Sequence, residues 1–327
     1  MPAPISPLKR LSAWLFCLLL LAAVLAVPDR AHALELGYLD TPEVALGVET
    51  YNGLALVADE MSGLRVADLS NPYVPKEISF YDTPGLAYDV VMDGPQAWIA
   101  DQAAGLRVLD LTDPANPTLT TAMYLRAYCY DIARAGHQAL LAGGGAGLIV
   151  VDLSDPERPK QTARLPTQEL ARGVAAHGNL ALVADFGAGL RIFDLAARGG
   201  PQEVGFYDTP GISFAVAAEG SIAVVADFTQ GLRVIDISNP ARPFEVGAID
   251  TPGYAVGVSM HDGLALVSDG FEGVRVIDVS HPSRPREVGF IDLPGFSFDV
   301  AVLDDLVLAA TGVTGMRVTT LAASARR

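Results

Sequence analysis

Short apolar segments separated by turn-forming residues recur along most of this chain. In one representative unit, residues 212–250, four such segments lie at 212–217, 222–226, 232–237 and 245–249. Gly, Pro, Asn and Asp separate them, as in Ser238-Asn239-Pro240. Apolar and β-branched runs of this length, bounded by such residues, are typical of strands rather than helices. Each unit is therefore predicted to form a four-stranded antiparallel meander.

The unit repeats at a constant period of 42 residues. Forms of the sequence Gly-Leu-Arg-Val, which opens the third segment, recur at Gly63, Gly105, Gly147, Gly189, Gly231, Gly273 and Gly315. Both alternating sets of the third segment are apolar, with Leu232 and Val234 on one face and Ile235 on the other, so each sheet must be covered on both sides. Identical sheets stacked around an axis satisfy this requirement. The sequence predicts an all-β fold, a seven-bladed β-propeller of four-stranded antiparallel blades.

The two ends of the chain predict how the ring closes. The last unit stops soon after Val318 and lacks a fourth segment. Residues 36–42 match residues 204–210, which follow the third segment of another unit. An N-terminal closing strand at about residues 35–40 would complete the last blade and leave no open edge.

The first 33 residues have the pattern of a cleaved signal peptide. Lys9 and Arg10 precede the apolar run 11–27, and the small-x-small site Ala31-His32-Ala33 follows. We expect cleavage before Leu34, a propeller over residues 34–327, and a destination in the periplasm, at the cell surface or in the medium. A retained N-terminal anchor is the alternative. Cleavage leaves Cys129 as the one cysteine, so no internal disulfide forms.

The charge balance restricts the classes of partner. The whole chain carries a net charge of −16, and residues 34–327 carry 19 basic and 37 acidic side chains, or −18. Such a surface repels nucleic acid and anionic lipid. We expect a monomer that binds a protein or glycan at the cell envelope, with no nucleic-acid partner and no membrane span in the mature chain.

One repeat nearly spells the name of a known family. At Leu148-Ile149-Val150-Val151-Asp152, and in its period and Asn-Pro turn, the chain resembles the LVIVD-repeat family. The resemblance implies a β-propeller of the kind found in exported and surface proteins of bacteria and archaea. It implies no agreed enzymatic activity.

Two sets of aspartates fall on one predicted rim. One set follows the second strand and comprises Asp59, Asp101, Asp185, Asp227 and Asp269; the other precedes the next blade and comprises Asp40, Asp82, Asp208, Asp250 and Asp292. Ten carboxylates could hold calcium. Our preferred interpretation is structural: Asp-Thr-Pro-Gly forms a turn in which Gly permits positive φ, and each Asp of the first set pairs with the Arg six residues later. No metal ligand or cofactor is therefore assigned.

Departures from the repeat mark candidate contact residues. Unit three reads Tyr124-Leu125-Arg126-Ala127-Tyr128 where most units read Tyr-Asp-Thr-Pro-Gly. Corresponding positions of the first strands carry Leu46, Tyr88, Tyr130, Arg172, Phe214, Val256 and Phe298, and the next positions carry Gly47, Asp89, Asp131, Gly173, Ala215, Gly257 and Asp299. The candidate ligand or partner contacts are Tyr88, Asp89, Arg126, Tyr128, Tyr130, Asp131, Arg172 and Asp299. The sequence does not decide which set faces the channel. Either the aromatic residues pack between blades and the aspartates meet water, or the two sets form an aromatic and acidic concavity suited to a polar or cationic ligand.

These observations favour an exported, non-enzymatic binding or scaffold propeller. No H-E-x-x-H or G-x-S-x-G motif occurs, and no catalytic residue is assigned. The alternative is a hydrolase or lyase at the channel mouth that uses Asp89, Asp131 and Arg172. Converging carboxylates, or a channel aspartate with a strongly raised pKa, would favour the enzyme. Cys129 is expected to be a small buried apolar residue.

Overall fold

The computed structural model describes residues 35–321, which form seven four-stranded antiparallel sheets. The strands of blades 1 to 3 are β2 (Ala45–Tyr51), β3 (Leu54–Asp59), β4 (Leu64–Asp68), β5 (Lys76–Tyr81); β6 (Asp89–Asp93), β7 (Gln96–Ala100), β8 (Leu106–Asp110), β9 (Thr118–Met123); β10 (Asp131–Ala135), β11 (Gln138–Ala142), β12 (Leu148–Asp152), β13 (Lys160–Leu165). Those of blades 4 to 6 are β14 (Gly173–His177), β15 (Leu180–Ala184), β16 (Leu190–Asp194), β17 (Gln202–Tyr207); β18 (Ala215–Glu219), β19 (Ile222–Ala226), β20 (Leu232–Asp236), β21 (Phe244–Ile249); β22 (Gly257–His261), β23 (Leu264–Ser268), β24 (Val274–Asp278), β25 (Arg286–Ile291). Blade 7 contains β26 (Asp299–Leu303), β27 (Leu306–Ala310), β28 (Met316–Thr320) and β1 (Gly37–Leu39). The predicted seven-bladed propeller is confirmed.

The N-terminal strand closes the ring, as predicted. β1 runs antiparallel to β28, with Gly37 opposite Val318 and Leu39 opposite Met316. An ion pair of 2.9 Å between Glu35 and Arg317 adds a side-chain link at the same junction. The predicted signal peptide lies outside the described residues. Within the described part of the chain, no helix has the length and hydrophobicity needed to cross a membrane.

The first strands of the seven blades surround a central channel. Each contacts the first strand of the next blade, and the contact between β26 and β2 completes the ring. Isolated β-bridges join each blade to the next at one end of this ring, as in Gln102 with Cys129 and Phe186 with Ser213. The bridge at Ser213 explains why β18 begins at residue 215 and not at 212, as the sequence indicated: this segment pairs first with the preceding blade.

Apolar clusters fill the spaces between blades. One cluster packs Trp98 and Leu106 of blade 2 against Ile132 and Leu141 of blade 3. Comparable clusters lie between the other neighbouring blades. Both faces of the second and third strands are therefore buried, which accounts for strands that are apolar at successive positions.

The aspartate that ends the LVIVD sequence fixes the turn into the outermost strand. The Asp152 carboxylate accepts a hydrogen bond of 2.9 Å from the backbone N–H of Ser154, and Asp236 accepts one of 2.8 Å from Ser238. This is the Asx turn, in which the side chain replaces a backbone acceptor. The hydrogen bond from Ser154 lowers the pKa of Asp152. The aspartate thus ends the third strand and forms the turn that follows it.

Candidate functional site

The rim aspartates that follow the second strands are buried and bonded within their own blades. The Asp101 carboxylate accepts hydrogen bonds from Thr83 Oγ1 at 2.7 Å, Gly85 N–H at 3.2 Å and Arg107 Nε at 3.1 Å. Its side chain is fully buried. Desolvation nevertheless raises its pKa, and these three hydrogen bonds oppose that effect. The carboxylate therefore holds the blade together.

The ion pair with arginine recurs wherever a blade has the aspartate. The four other pairs, with N–O distances of 3.4–3.8 Å, are Asp59–Arg65, Asp185–Arg191, Asp227–Arg233 and Asp269–Arg275. Blades 3 and 7 have Gly143 and Thr311 instead, and both replace the bonded threonine by leucine, at Leu125 and Leu293. The buried aspartate and its hydroxyl partner are thus present or absent together. The predicted ion pairs are confirmed.

The glycine of the Asp-Thr-Pro-Gly turn has a different role from the one expected. Gly85, Gly211 and Gly253 do not have positive φ. A Cβ at Gly85 would lie 2.3 Å from the Asp101 carbonyl oxygen, so glycine is needed for close approach. Within residues 35–321, no three His, Cys, Asp or Glu side chains are grouped to hold a metal ion. That the chain uses no cofactor stays a prediction.

The channel mouth is the ring of seven positions at the start of the first strands: Leu46, Tyr88, Tyr130, Arg172, Phe214, Val256 and Phe298. The guanidinium carbon of Arg172 lies 4.1 Å from the centroid of the Tyr130 ring and 5.5 Å from that of Phe214. Tyr88 packs edge-on against Tyr130 with centroids 5.3 Å apart. Rings from blades 2, 3 and 5 thus surround the cation that blade 4 supplies.

Aromatic residues from adjoining loops extend this mouth. Phe214 contacts Phe186 and Phe228, with centroids 5.8 and 5.4 Å away. Phe228 in turn stacks on Tyr254 at 4.7 Å with an interplanar angle of 13°. Tyr254 is 41% exposed, which leaves a flat aromatic surface open to solvent. These loop residues were missed by the sequence analysis; Phe186 and Phe228 directly follow rim aspartates, and the bridges between blades bring that position to the mouth.

The channel carboxylates, Asp89, Asp131 and Asp299, lie one residue deeper. Each bonds to the backbone N–H of the next blade: Asp89 to Ile132 at 3.2 Å, Asp131 to Val174 at 2.7 Å, and Asp299 to Val48 at 3.0 Å. The neighbouring carboxyl groups of Asp89 and Asp131 also interact, and each affects the pKa of the other. All three aspartates are half-buried in the channel wall. Neither alternative from the sequence, solvated aspartates or an acidic concavity, therefore describes them fully.

Burial and mutual repulsion raise the pKa values of these carboxyl groups. Desolvation, and then the charge of Asp131, raise the pKa of Asp89 well above its ordinary range. Desolvation raises the pKa of Asp299 to about 6, with a further contribution from the Asp131 charge. Glu49, which the sequence analysis did not single out, also has a raised pKa because of burial and the charge of Asp299. These carboxyl groups therefore keep their protons to a higher pH than ordinary carboxyl groups do.

The structure brings together six of the eight predicted contact residues. These are Tyr88, Tyr130 and Arg172 at the mouth with Asp89, Asp131 and Asp299 below. Arg126 and Tyr128 lie in the exposed loop before β10, where Arg126 has a φ of 52° and Tyr128 is 46% exposed. Cys129 is fully buried, and desolvation raises the pKa of its thiol to about 12. The equivalent positions are Ala or Ser, so Cys129 fills a small-residue site.

Comparison with known proteins supports the same architecture. The chain is similar to the computationally designed Ika8 protein, with a TM-score of 0.66, 8% identity, and coverage of 88% of this chain and 100% of that one. It is also similar to a chain of the mitotic checkpoint complex, with a TM-score of 0.73, 14% identity, and coverage of 91% and 97%. At these identities the likeness concerns the fold alone.

Sequence comparison adds the family. No curated protein matches the chain. The model of the LVIVD repeat matches residues 45–83, 84–123, 128–165, 170–209, 210–251 and 252–292, which together exceed half of the chain. The chain therefore belongs to the LVIVD repeat family.

Proposed function

We propose that this protein is an exported, non-enzymatic binding propeller that presents one rim of its ring to a protein or glycan at the cell envelope. The observation that carries the proposal is Arg172, stacked on Tyr130 in a mouth where the regular repeat is broken. The blades around it are joined by bridges and filled by apolar clusters. A side chain on such a scaffold is held in place before a ligand arrives, which reduces the entropic cost of binding.

The position of the irregular segments supports a contact at blade 3 and the start of blade 4. Tyr124 and Tyr128 are 70% and 46% exposed beside the mouth, in the loop that lacks the regular turn. Tyrosine supplies a large contact area with little loss of side-chain entropy, and it is enriched at interfaces. The signal-peptide pattern at residues 1–33 supports export, and N-terminal sequencing of the protein from a periplasmic or culture fraction would test it. A sequence that starts at Leu34 is expected.

A pull-down from envelope extract tests the proposed binding. The native protein is compared with Tyr128→Ala/Tyr130→Ala and with Tyr73→Ala, an exposed tyrosine between β4 and β5. We expect the double variant to lose partners that the native protein and Tyr73→Ala retain. Tyr128→Ala alone, which alters an exposed side chain, provides a version without a packing defect. If all four proteins recover the same partners, the mouth is not the contact.

One observation favours a second candidate, a hydrolase or lyase that works in the channel. The strongly raised pKa of Asp89, beside the carboxyl group of Asp131, is typical of carboxyl pairs that act as general acids. Against this, all three channel carboxylates accept backbone hydrogen bonds from the next blade. Hydrolysis or elimination of envelope glycans that disappears in Asp89→Asn, with the fold intact, would establish the enzyme and overturn the non-enzymatic proposal.

A further inference from the structure

The guanidinium of Arg172 is positioned by rings rather than by carboxylates. Its central carbon lies 4.1, 5.5 and 6.0 Å from the ring centroids of Tyr130, Phe214 and Tyr88. Among residues 35–321 the guanidinium of Arg172 forms no hydrogen bond or ion pair, although the charge of Asp131 is near enough to interact with it. Stacking occupies the flat face of a guanidinium and leaves the N–H donors at its edge available.

The arginines of the third strands behave differently. Each has a carboxylate within 4 Å, as in Arg107 with Asp101 and Arg317 with Glu35. Those arginines are nearly buried and complete a structural ion pair. Arg172 directly precedes the first strand of its blade, at a position that is apolar or aromatic in the six other blades. The fold therefore gives no structural reason for a cation at this position.

The surroundings of Arg172 select among anionic ligands. A planar guanidinium matches a carboxylate through two parallel hydrogen bonds. The channel carboxylates Asp89 and Asp131 lie one residue deeper, and their remaining oxygen lone pairs are acceptors that hydroxyl groups can satisfy. Tyr254 and Tyr128 offer exposed aromatic surface around the mouth. A ligand that uses all three features carries a carboxylate, several hydroxyl groups and a compact ring.

We propose that the channel mouth binds a sugar acid. The ligand carboxylate pairs with Arg172, its hydroxyl groups donate hydrogen bonds to Asp89 and Asp131, and its ring packs on the exposed aromatic surface of Tyr254 and Tyr128. This inference rests on the proposed binding function and specifies its ligand. A basic ligand is disfavoured because Arg172 already occupies the mouth. A polyanion is disfavoured by the net charge of −16, so the preferred ligand is a glycan with one uronic acid among neutral sugars.

Titration calorimetry with the disaccharide glucuronosyl-(1→4)-glucose tests the proposal, and its methyl ester serves as a matched uncharged probe. We expect the acid to bind at least about tenfold more tightly than the ester. Arg172→Gln should abolish this preference, and Arg172→Lys should weaken binding because it keeps the charge but loses the fork. Arg284→Gln, an exposed arginine in the turn before β25, should bind like the native protein.

Two outcomes would overturn the inference: equal binding of acid and ester, or binding of the acid that is unchanged in Arg172→Gln. Absence of any binding at 10 mM disaccharide, on the order of the weakest affinities calorimetry resolves, would also overturn it. In each case a pull-down that depends on Tyr128 would leave the proposed binding function standing, with a protein as the partner. Thermal unfolding of Arg172→Gln separates a lost ligand contact from a lost fold.

Discussion

Aspartate and arginine occur in two regions of this propeller and serve different ends. On the rim, Asp101 and Arg107 contact each other at 3.1 Å, and Thr83 satisfies a further carboxylate oxygen. At the channel mouth, Arg172 stacks on rings, while Asp131 accepts a hydrogen bond from the next blade and lies beside Asp89. Both regions contain carboxylates with raised pKa values, so a raised pKa alone does not separate structure from function. What separates them is whether the fold places a carboxylate next to the arginine.

The rim unit should show the largest effect when it is broken. Asp101→Gly leaves Arg107 and the Thr83 hydroxyl buried without their partner, and we expect a loss of about 3–5 kcal/mol in the free energy of unfolding. The triple variant Thr83→Leu/Asp101→Gly/Arg107→Ile copies the residues of blade 3 and should recover at least about 2 kcal/mol of that loss. Denaturant unfolding measures both. A triple variant no more stable than the single one would show that the three residues do not act as a unit.

Removing the charge of a channel carboxylate should raise the free energy of unfolding, whereas breaking the rim unit should lower it. The pKa of Asp299 is about 6 in the folded protein, against an ordinary value of 3.8. Between pH 3.8 and pH 6 the folded protein therefore keeps a proton that the unfolded chain has released. The associated stability is fully present below pH 3.8 and is lost as pH rises through 6. Asp299→Asn should therefore be more stable than the native protein at pH 7.5, by roughly 1 to 3 kcal/mol.

Thermal unfolding at pH 5 and pH 7.5 measures this effect. The native protein should lose stability between the two conditions, and Asp299→Asn should lose less. Asp236→Asn is the matched control, because Asp236 caps an exposed turn and asparagine can accept the same hydrogen bond. A slope with pH that is unchanged in Asp299→Asn would mean that this carboxyl group titrates normally.

Coupling between the channel carboxylates is a smaller effect. The charge of Asp131 is one cause of the raised pKa of Asp299. Replacing Asp131 with asparagine should lower the Asp299 pKa by roughly half a unit to one unit, an interaction of about 1 kcal/mol. Carbon-13 NMR titration of the aspartate carboxyl groups reports it. A value that stays at about 6 would indicate that burial alone sets the pKa.

The repeat made most of the fold predictable. Seven copies of a 42-residue unit, with strands that are apolar on both faces, predict the number of blades. The match between residues 36–42 and 204–210 identifies the closing strand. The predicted start of β18 was wrong because Ser213 pairs with the preceding blade, and no local sequence pattern indicates such a pairing. The role of Gly85 was also wrong, since it depends on the distance to the Asp101 backbone.

The candidate site was only partly predictable, for a related reason. Position in the repeat places Arg172 and Asp131 at the start of the first strands. It does not show in which direction their side chains point. That direction follows from the bonds between blades, such as the one from Val174 N–H to Asp131. Phe228 and Tyr254 were missed because their stacking joins loops of two blades.

The most direct test compares the thermal unfolding of Arg107→Gln and Arg172→Gln at pH 7.5. Arg107→Gln leaves the buried Asp101 carboxylate without its ion pair and should cost about 3 kcal/mol, a fall of roughly 6–12 °C in Tm. Arg172→Gln removes a stacked cation and should cost less than about 1 kcal/mol. Equal losses in the two variants would contradict the account, because Arg172 would then be a structural residue like the arginines of the rim.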